Sequence, residues 1–256
     1  MSWPGALAVL VAGVWAGMIN TVVGSGTLIT FPTLLALGLP PVTANVSNNV
    51  GLVFGSATGA WGYRRELAGQ RTNVVRLAPM SLAGAVVGAV LLLRLPASAF
   101  EAVVPALIAV SLVLVLMQPW ISARAAARRD RGGTVHTGPG PAAVTGTLAA
   151  GVYGGYFGAA QGVLLVGLLG SLLPEPLQRV NALKNVLSLV VNLVAAVTFL
   201  LVAPQAVSWP VVGLVATGSV VGGLLGARVG RRLPPRALRA VIVVVGAVAI
   251  VRLLRG

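Results

Sequence analysis

Polar side chains interrupt the apolar runs of this chain, and their types and spacing are what could do chemistry. One set surrounds a Gly-Ser-Gly triplet and consists of Asn20, Thr21, Gly24, Ser25 and Gly26. A second set, in TANVSNNVG, consists of Asn45, Ser47 and Asn48. A third set, in the second half, consists of Gln161, Asn181, Lys184 and Asn185. Amides, hydroxyls and an ammonium group all donate hydrogen bonds, which is the chemistry that binds the oxygens of a small anion.

The glycines suit the same chemistry. They let the backbone approach a ligand closely, and a helix that begins after a glycine break offers N–H groups and about half a unit of positive charge. A broken helix can therefore hold an anion inside a membrane. The alternative for each of these polar residues is structural, because Asn and Ser also tie membrane helices together.

Lys184 is the strongest single candidate for contact with a substrate, because it lies in the apolar run NALKNVLSLVVN. A cation in that setting is costly unless it faces water, an anion or the membrane surface. Contact with substrate and snorkelling to the cytoplasmic surface both fit its place near a helix start.

Acidic residues are few. The chain has only Glu66, Glu101, Asp130 and Glu175, all in or beside predicted loops, and its one histidine, His136, also lies in a loop. Metal ligands, acid–base pairs and an activated nucleophile cannot be assembled from this set, so we expect neither an enzyme nor a bound metal or cofactor.

The composition indicates whether the chain folds in water or in a membrane. Of 256 residues, 57% are hydrophobic and 9% are charged, which predicts an all-α integral membrane protein. The net charge of +14 resides in arginines between the apolar runs, where they act as loop anchors in a lipid bilayer, so we expect no nucleic-acid partner.

The second half repeats the first at one constant offset, which places Gly13, Gly17 and Gly24 on Gly151, Gly155 and Gly162. At the same offset, Ser81–Val103 matches Ser219–Val241 without a gap. This predicts a first transmembrane repeat over 1–118, a cytoplasmic linker over 119–140 and a second repeat over 141–256. Pairs of small residues have the spacing of close helix packing: Gly13 and Gly17, Gly84 and Gly88, Gly222 and Gly226.

Arginine-rich loops alternate with nearly uncharged ones, which places the Arg-Leu-Pro turn at Arg94 outside and its copy at Arg232 inside. The two repeats are therefore predicted to have inverted topology, with a substrate site near the membrane midplane where they meet. Each half has three full spans, in the first about Thr43–Tyr63, Val74–Leu93 and Ala99–Met117, preceded by a broken region. Its second piece, Thr27–Leu37, is too short to cross a ~30 Å core, which gives eight to ten membrane segments.

The stretch from Gly13 to Asn48, containing NTVVGSGTLITFP and LGLPPVTANVSN, closely resembles the N-terminal signature of the TauE/SafE permeases, a family of sulfite and organosulfonate exporters. The resemblance implies a plasma-membrane transporter and draws attention to Asn20, Gly24, Gly26, Pro32, Ala44, Asn45 and Asn48. The chain departs from the family pattern at Gly158-Ala-Ala-Gln-Gly162, at Gly170 and at Lys184.

These observations lead to one functional expectation and one alternative. We expect a transporter of small sulfur-containing anions such as sulfite, sulfonates or thiosulfate. The alternative is a membrane accessory or assembly protein that transports nothing. A homo-oligomer is compatible with either.

Overall fold

Helices make up the architecture of the computed structural model, which describes residues 1–130 and 138–229 and, beyond these, residues 240, 242–245, 247, 248 and 251. Within those residues there is no β-strand. The α-helices in chain order are α1 Trp3–Val22, α2 Thr27–Ala36, α3 Pro41–Gly62, α4 Arg71–Arg94, α5 Ala97–Asp130, α6 Pro141–Tyr156, α7 Gln161–Leu172, α8 Leu177–Val202 and α9 Trp209–Val229.

Five of these helices, α1, α4, α5, α8 and α9, are long and apolar enough to cross a membrane. By contrast, α2 and α7 have 10 and 12 residues, so at 1.5 Å per residue they extend for only about 15 and 18 Å. The predicted all-α membrane protein is confirmed, and so is the half-helix that begins at Thr27. The 22-residue α3 is less apolar because it carries the asparagines of the second polar set.

The helices of the two halves are interleaved. Helix α1 packs along α9 and, correspondingly, α6 packs along α4. Helices α3 and α8 cross each other, α3 also contacts α9, and α8 contacts α4. Exchanging the first four helices for the four that begin at α6 reproduces these contacts, so the halves are related by an approximate two-fold. Their opposite orientation in a membrane stays a prediction.

Glycines make the two long pairings possible. A Cβ at Gly17 of α1 would overlap the carbonyl of Ser219 on α9, and one at Gly88 of α4 would overlap that of Val152 on α6. Backbones this close exclude any side chain from the seam. The predicted role of these glycines in helix packing is confirmed.

The ungapped match of the repeat holds in the described parts of α4 and α9. Val14 and Leu148 are equivalent positions, because each lies eight residues before the end of its helix, α1 or α6. Gly84 of α4 lies against the backbone of Leu148, and Gly222 of α9 lies against that of Val14. Gly84 therefore corresponds to Gly222, as the match of Ser81–Val103 with Ser219–Val241 predicts.

The register differs from the sequence match in α1 and α6. Gly17 of α1 lies against Ser219, and Gly151 of α6 lies against Ser81, so Gly17 corresponds to Gly151 and not to Gly155. The physical reason is that glycines recur every four residues in these helices, so a slip of one turn still aligns glycine with glycine.

Helix α5 continues to Asp130, so it occupies the first part of the segment 119–140 that the sequence indicates as a linker. Several residues of the sequence argument lie outside the described residues: His136, Arg131, Arg231, Arg232, Arg236, Arg239, Arg252 and Arg255.

Candidate functional site

Two helix breaks carry most of the polar residues singled out above. In the first, α1 ends at Val22 and α2 begins at Thr27, with Gly24 at φ +89° between them. In the second, α6 ends at Tyr156 and α7 begins at Gln161, with Gly158 at φ +77°. These glycines adopt a left-handed conformation, which only glycine adopts without strain. Because each is the second residue after its helix ends, Gly24 corresponds to Gly158 and not to Gly162.

The two breaks touch each other. The Gly162 N–H donates to the Gly24 carbonyl at 3.0 Å. A Cβ on either glycine would overlap the other backbone. The C-terminus of α1 and the N-termini of α2 and α7 therefore converge on one place, which we call the junction and define by Gly24 and Gly162.

Lys184 is buried at the junction. Its Nζ donates to the carbonyls of Asn20 at 2.8 Å and of Thr21 at 3.2 Å. Its stem lies beside Gly162, where a Cβ would be 2.8 Å from the lysine Cδ. Because the side chain is 0% exposed, the snorkelling alternative is wrong.

Two asparagines of α8 join Lys184 in this contact. The Nδ2 groups of Asn181 and Asn185 each donate to the Thr21 carbonyl at 3.3 Å. That carbonyl belongs to the last turn of α1, where helix geometry provides no partner and the helix dipole is negative. Three of the four residues of the third polar set therefore cap the C-terminus of α1 with an ammonium and two amides.

The electrostatics of the junction are unbalanced. In the described part of the chain, the Lys184 ammonium donates its hydrogen bonds to neutral carbonyls. Among the side chains that the structure describes, three are acidic: Glu66, Glu101 and Glu175. Glu66 lies in the loop after α3, Glu101 near the start of α5 and Glu175 before α8, so all three lie outside the helical core. Burying a cation away from any carboxylate is costly, and a bound anion lowers that cost.

Unused hydrogen-bonding groups adjoin the junction. Ser25 and Gln161 are 1% and 3% exposed. The Ser25 Oγ and the Gln161 Nε2 have no hydrogen-bond partner among the residues that the structure describes. Ser25 precedes α2 and Gln161 is the first residue of α7, so both lie where the helix N-termini converge. Buried groups without a partner also occur away from the junction, at Ser81 and Thr147, so Ser25 and Gln161 are donors available to a ligand but do not by themselves show one.

Helix α3 supports both breaks. Asn48 accepts a hydrogen bond from the Thr30 hydroxyl and donates to the Thr27 hydroxyl at 3.4 Å, which fixes α2. Asn45 donates to the Tyr156 carbonyl at 3.0 Å at the end of α6. Ser47, in contrast, accepts from the Ser208 N–H at 2.8 Å in the segment before α9, so it is not part of the junction.

Comparison with known proteins identifies the family of this chain. The family model of the sulfite exporter TauE/SafE matches residues 9–253. This chain belongs to the TauE/SafE family. It is 29% identical over 249 residues to a probable membrane transporter protein of Sinorhizobium, covering 95% of this chain and 90% of the relative. A probable membrane transporter protein of Escherichia coli K12 is likewise 29% identical, over 93% of this chain and 86% of the relative. One from Haemophilus influenzae is 25% identical, over 91% and 88%. No solved structure matches.

The TauE/SafE membership makes this chain a multi-pass protein of a transporter family. The predicted resemblance is thereby confirmed over nearly the whole chain.

One part of the site was missed in the sequence. The Ser56 hydroxyl of α3 accepts from Asn20 at 3.3 Å and from Asn192 at 2.8 Å, and Asn49 donates to Asn192 at 3.4 Å. This chain of hydrogen bonds links the first break to the crossing of α3 and α8. The signal was in the spacing, since Asn49 and Ser56 are seven residues apart on one helix face, as are Asn185 and Asn192.

The second break of this TauE/SafE protein is held by different groups. The Ala159 carbonyl accepts from the Ser111 hydroxyl at 3.2 Å and from the Tyr153 hydroxyl. Phe157 packs edge-on against Phe31 of α2, with ring centroids 5.2 Å apart. The first break is thus bound by the ammonium of Lys184 and by amides, and the second by hydroxyls, aromatic rings and the one amide of Asn45.

Proposed function

We propose that this chain transports small oxyanions across the membrane and that the junction binds them. Among such anions we place sulfite, sulfonates and thiosulfate first, in accord with the description of the family as sulfite exporters. The observation that carries the proposal is the buried ammonium of Lys184 at the contact of the two breaks. An anion at this point would supply the negative charge that the surrounding helices lack.

The donors around the junction suit an anion with several oxygens. The ammonium group has three N–H donors, and the carbonyls of Asn20 and Thr21 take two of them. The third N–H and the unpartnered Gln161 Nε2 can each donate to an anion oxygen, as can the Ser25 hydroxyl. Because α2 and α7 both start at the junction, their dipoles add positive potential, opposed by the negative end of α1 that Lys184, Asn181 and Asn185 cap.

Transport by the purified full chain in liposomes tests the proposal. We expect efflux of sulfite, of a simple sulfonate or of thiosulfate from loaded vesicles, and no such efflux from vesicles without protein. If none of these anions moves and none competes with another, the proposed substrate class is wrong.

Two substitutions of Lys184 separate its charge from its hydrogen bonds. Lys184→Gln keeps a donor that can cap α1 but removes the charge, whereas Lys184→Met removes both. If the charge attracts the anion, both variants lose at least tenfold in transport rate at low anion concentration while remaining folded. If Lys184→Gln transports normally, the only role of Lys184 is to cap the C-terminus of α1.

The second candidate function is a membrane accessory or assembly role without transport. The observation that favours it is that Lys184, Asn181 and Asn185 already donate to carbonyls of α1 and lie buried between packed helices. The liposome assay distinguishes the two, because an accessory protein moves no anion when it is reconstituted alone.

A further inference from the structure

A cavity of about 360 Å³ lies away from the junction, between the end of α3 and the end of α9. Its lining includes Trp61, Arg64, Arg65, Glu66 and Arg228. Three guanidinium groups thus share the cavity with one carboxylate, which leaves it positively charged. Nothing in the transport proposal uses this cavity.

The positions of two arginines beside exposed helix faces are informative. On α3, Phe54 and Trp61 are 51% and 56% exposed, and Arg64 lies in the turn that follows the helix, three residues after Trp61. On α9, Val221 and Leu225 are 45% and 43% exposed, and Arg228 continues that face. In a membrane protein such exposed apolar faces meet lipid chains. Each lipid-facing ridge therefore ends in an arginine at the cavity.

Arg64, in the turn after α3, is held in place. Its guanidinium carbon lies 4.2 Å from the centre of the Trp61 ring, and its Nη1 donates to the Trp61 carbonyl at 3.1 Å. Stacking on a tryptophan uses the face of the guanidinium and leaves most of its N–H edge for an anion. Trp61 itself is of the type that lies at the level of lipid headgroups.

We propose that this cavity binds the phosphate of an anionic phospholipid, with Arg64, Arg65 and Arg228 as its ligands. The acyl chains lie along the ridges formed by Phe54 and Trp61 on α3 and by Val221 and Leu225 on α9. This placement joins a positively charged cavity, with room for a headgroup, to an apolar surface, and a lipid matches both parts. A free anion matches only the first.

Lipid binding to the purified full chain tests the proposal by native mass spectrometry, with dioleoyl phosphatidylglycerol and dioleoyl phosphatidylcholine as probes. We expect the phosphatidylglycerol adduct to be the tighter. One arginine near an anionic headgroup is worth about fivefold in affinity, so R64Q/R228Q should weaken that adduct roughly twentyfold or more. If the double variant does not fold, phosphatidylglycerol binding is measured for each single variant instead, and the affinity of each should fall about fivefold.

The matched control is Arg124→Gln. Arg124 also stacks on an exposed tryptophan, with its guanidinium carbon 4.9 Å from the centre of the Trp120 ring, but it lies on α5. Phosphatidylglycerol binding should be unchanged in this variant. Equal binding of phosphatidylcholine, full binding by R64Q/R228Q, or displacement of the lipid by equimolar glycerol 1-phosphate would overturn the proposal, and the last result would assign a free-anion site instead. Because the readout is lipid mass and not flux, failure here leaves the transport proposal untouched.

Discussion

At the residue scale, the hydrogen-bond partners of the polar residues explain their positions in apolar helices better than the residue types do. The sequence identified Asn20, Lys184 and Asn185 as unusual because polar groups in apolar helices need partners. It could not show that a carbonyl of α1 is the partner of Lys184 and Asn185, since that contact joins residues more than 160 positions apart. Ser56 was missed because a lone serine in a membrane helix ordinarily bonds to its own backbone.

Ser56 gives a prediction at this scale. In Ser56→Ala the amide groups of Asn20 and Asn192 lose their acceptor, and an orphaned buried donor costs about 1–3 kcal/mol. Since Asn20 is half-buried, we expect a total loss of about 2 kcal/mol. Thermal unfolding in detergent measures the effect as a lower midpoint.

Thr198→Ala is the control for that change, because the Thr198 hydroxyl donates at 2.8 Å to Val194 within its own helix. Its midpoint should stay close to that of the unaltered protein. Similar midpoints for Ser56→Ala and Thr198→Ala would contradict the role given to Ser56.

At the element scale, the breaks themselves could be predicted. The Gly-Ser-Gly triplet and the short apolar run after it were enough to predict α2 as a half-helix from Thr27. The direct contact between the breaks was not predictable, because it depends on how two halves of the chain fold around each other. In the sequence, Gly24 matches Gly162 only because both positions hold glycine at the constant offset of the repeat. The backbone conformation pairs Gly24 with Gly158 instead.

The junction yields a prediction about these elements. In Gly162→Ala the new methyl group would overlap the Gly24 backbone and approach the Lys184 Cδ, so the two breaks must separate. We expect a destabilisation of about 1–3 kcal/mol, as for other overpacked sites, together with a large change in transport rate.

Gly213→Ala is the matched control, since a Cβ at that position of α9 has no neighbour within 4 Å. Alanine is the better helix former by about 1 kcal/mol, so this variant should be as stable as the unaltered protein or more so. An unfolding midpoint for Gly162→Ala equal to that for Gly213→Ala would show that the breaks do not touch.

At the scale of the whole molecule, the fold class followed from composition alone, because only helices satisfy their own backbone hydrogen bonds in lipid at this hydropathy. The interleaving of the two halves did not follow from composition. A repeat in a sequence predicts two similar units, but it does not say that α1 of one unit lies along α9 of the other. That pairing is decided by glycine seams whose partners are distant in the chain.

Interleaving predicts how the molecule responds to a cut. We expect that replacing residues 131–137 with a protease site and cleaving there leaves both fragments in one peak on size exclusion in mild detergent. The seam of α1 with α9 and the seam of α4 with α6 hold them together. Fragments that separate without denaturant would contradict the interleaved fold.

Gly17→Val supplies the control for that experiment, because its larger side chain would be forced into the Ser219 backbone. After the same cleavage, this variant should release its fragments more readily.

The two halves of the chain meet backbone to backbone at the junction. Between Gly24 and Gly162 no side chain intervenes, and the hydrogen bond that joins them is one N–H to carbonyl contact. Such a bond contributes about 1 kcal/mol net, close to thermal energy, whereas parting α1 from α9 would open a seam that runs along most of both helices. If anions pass at the junction, separating the half-helices at their tips therefore needs less free energy than rocking one half of the chain against the other.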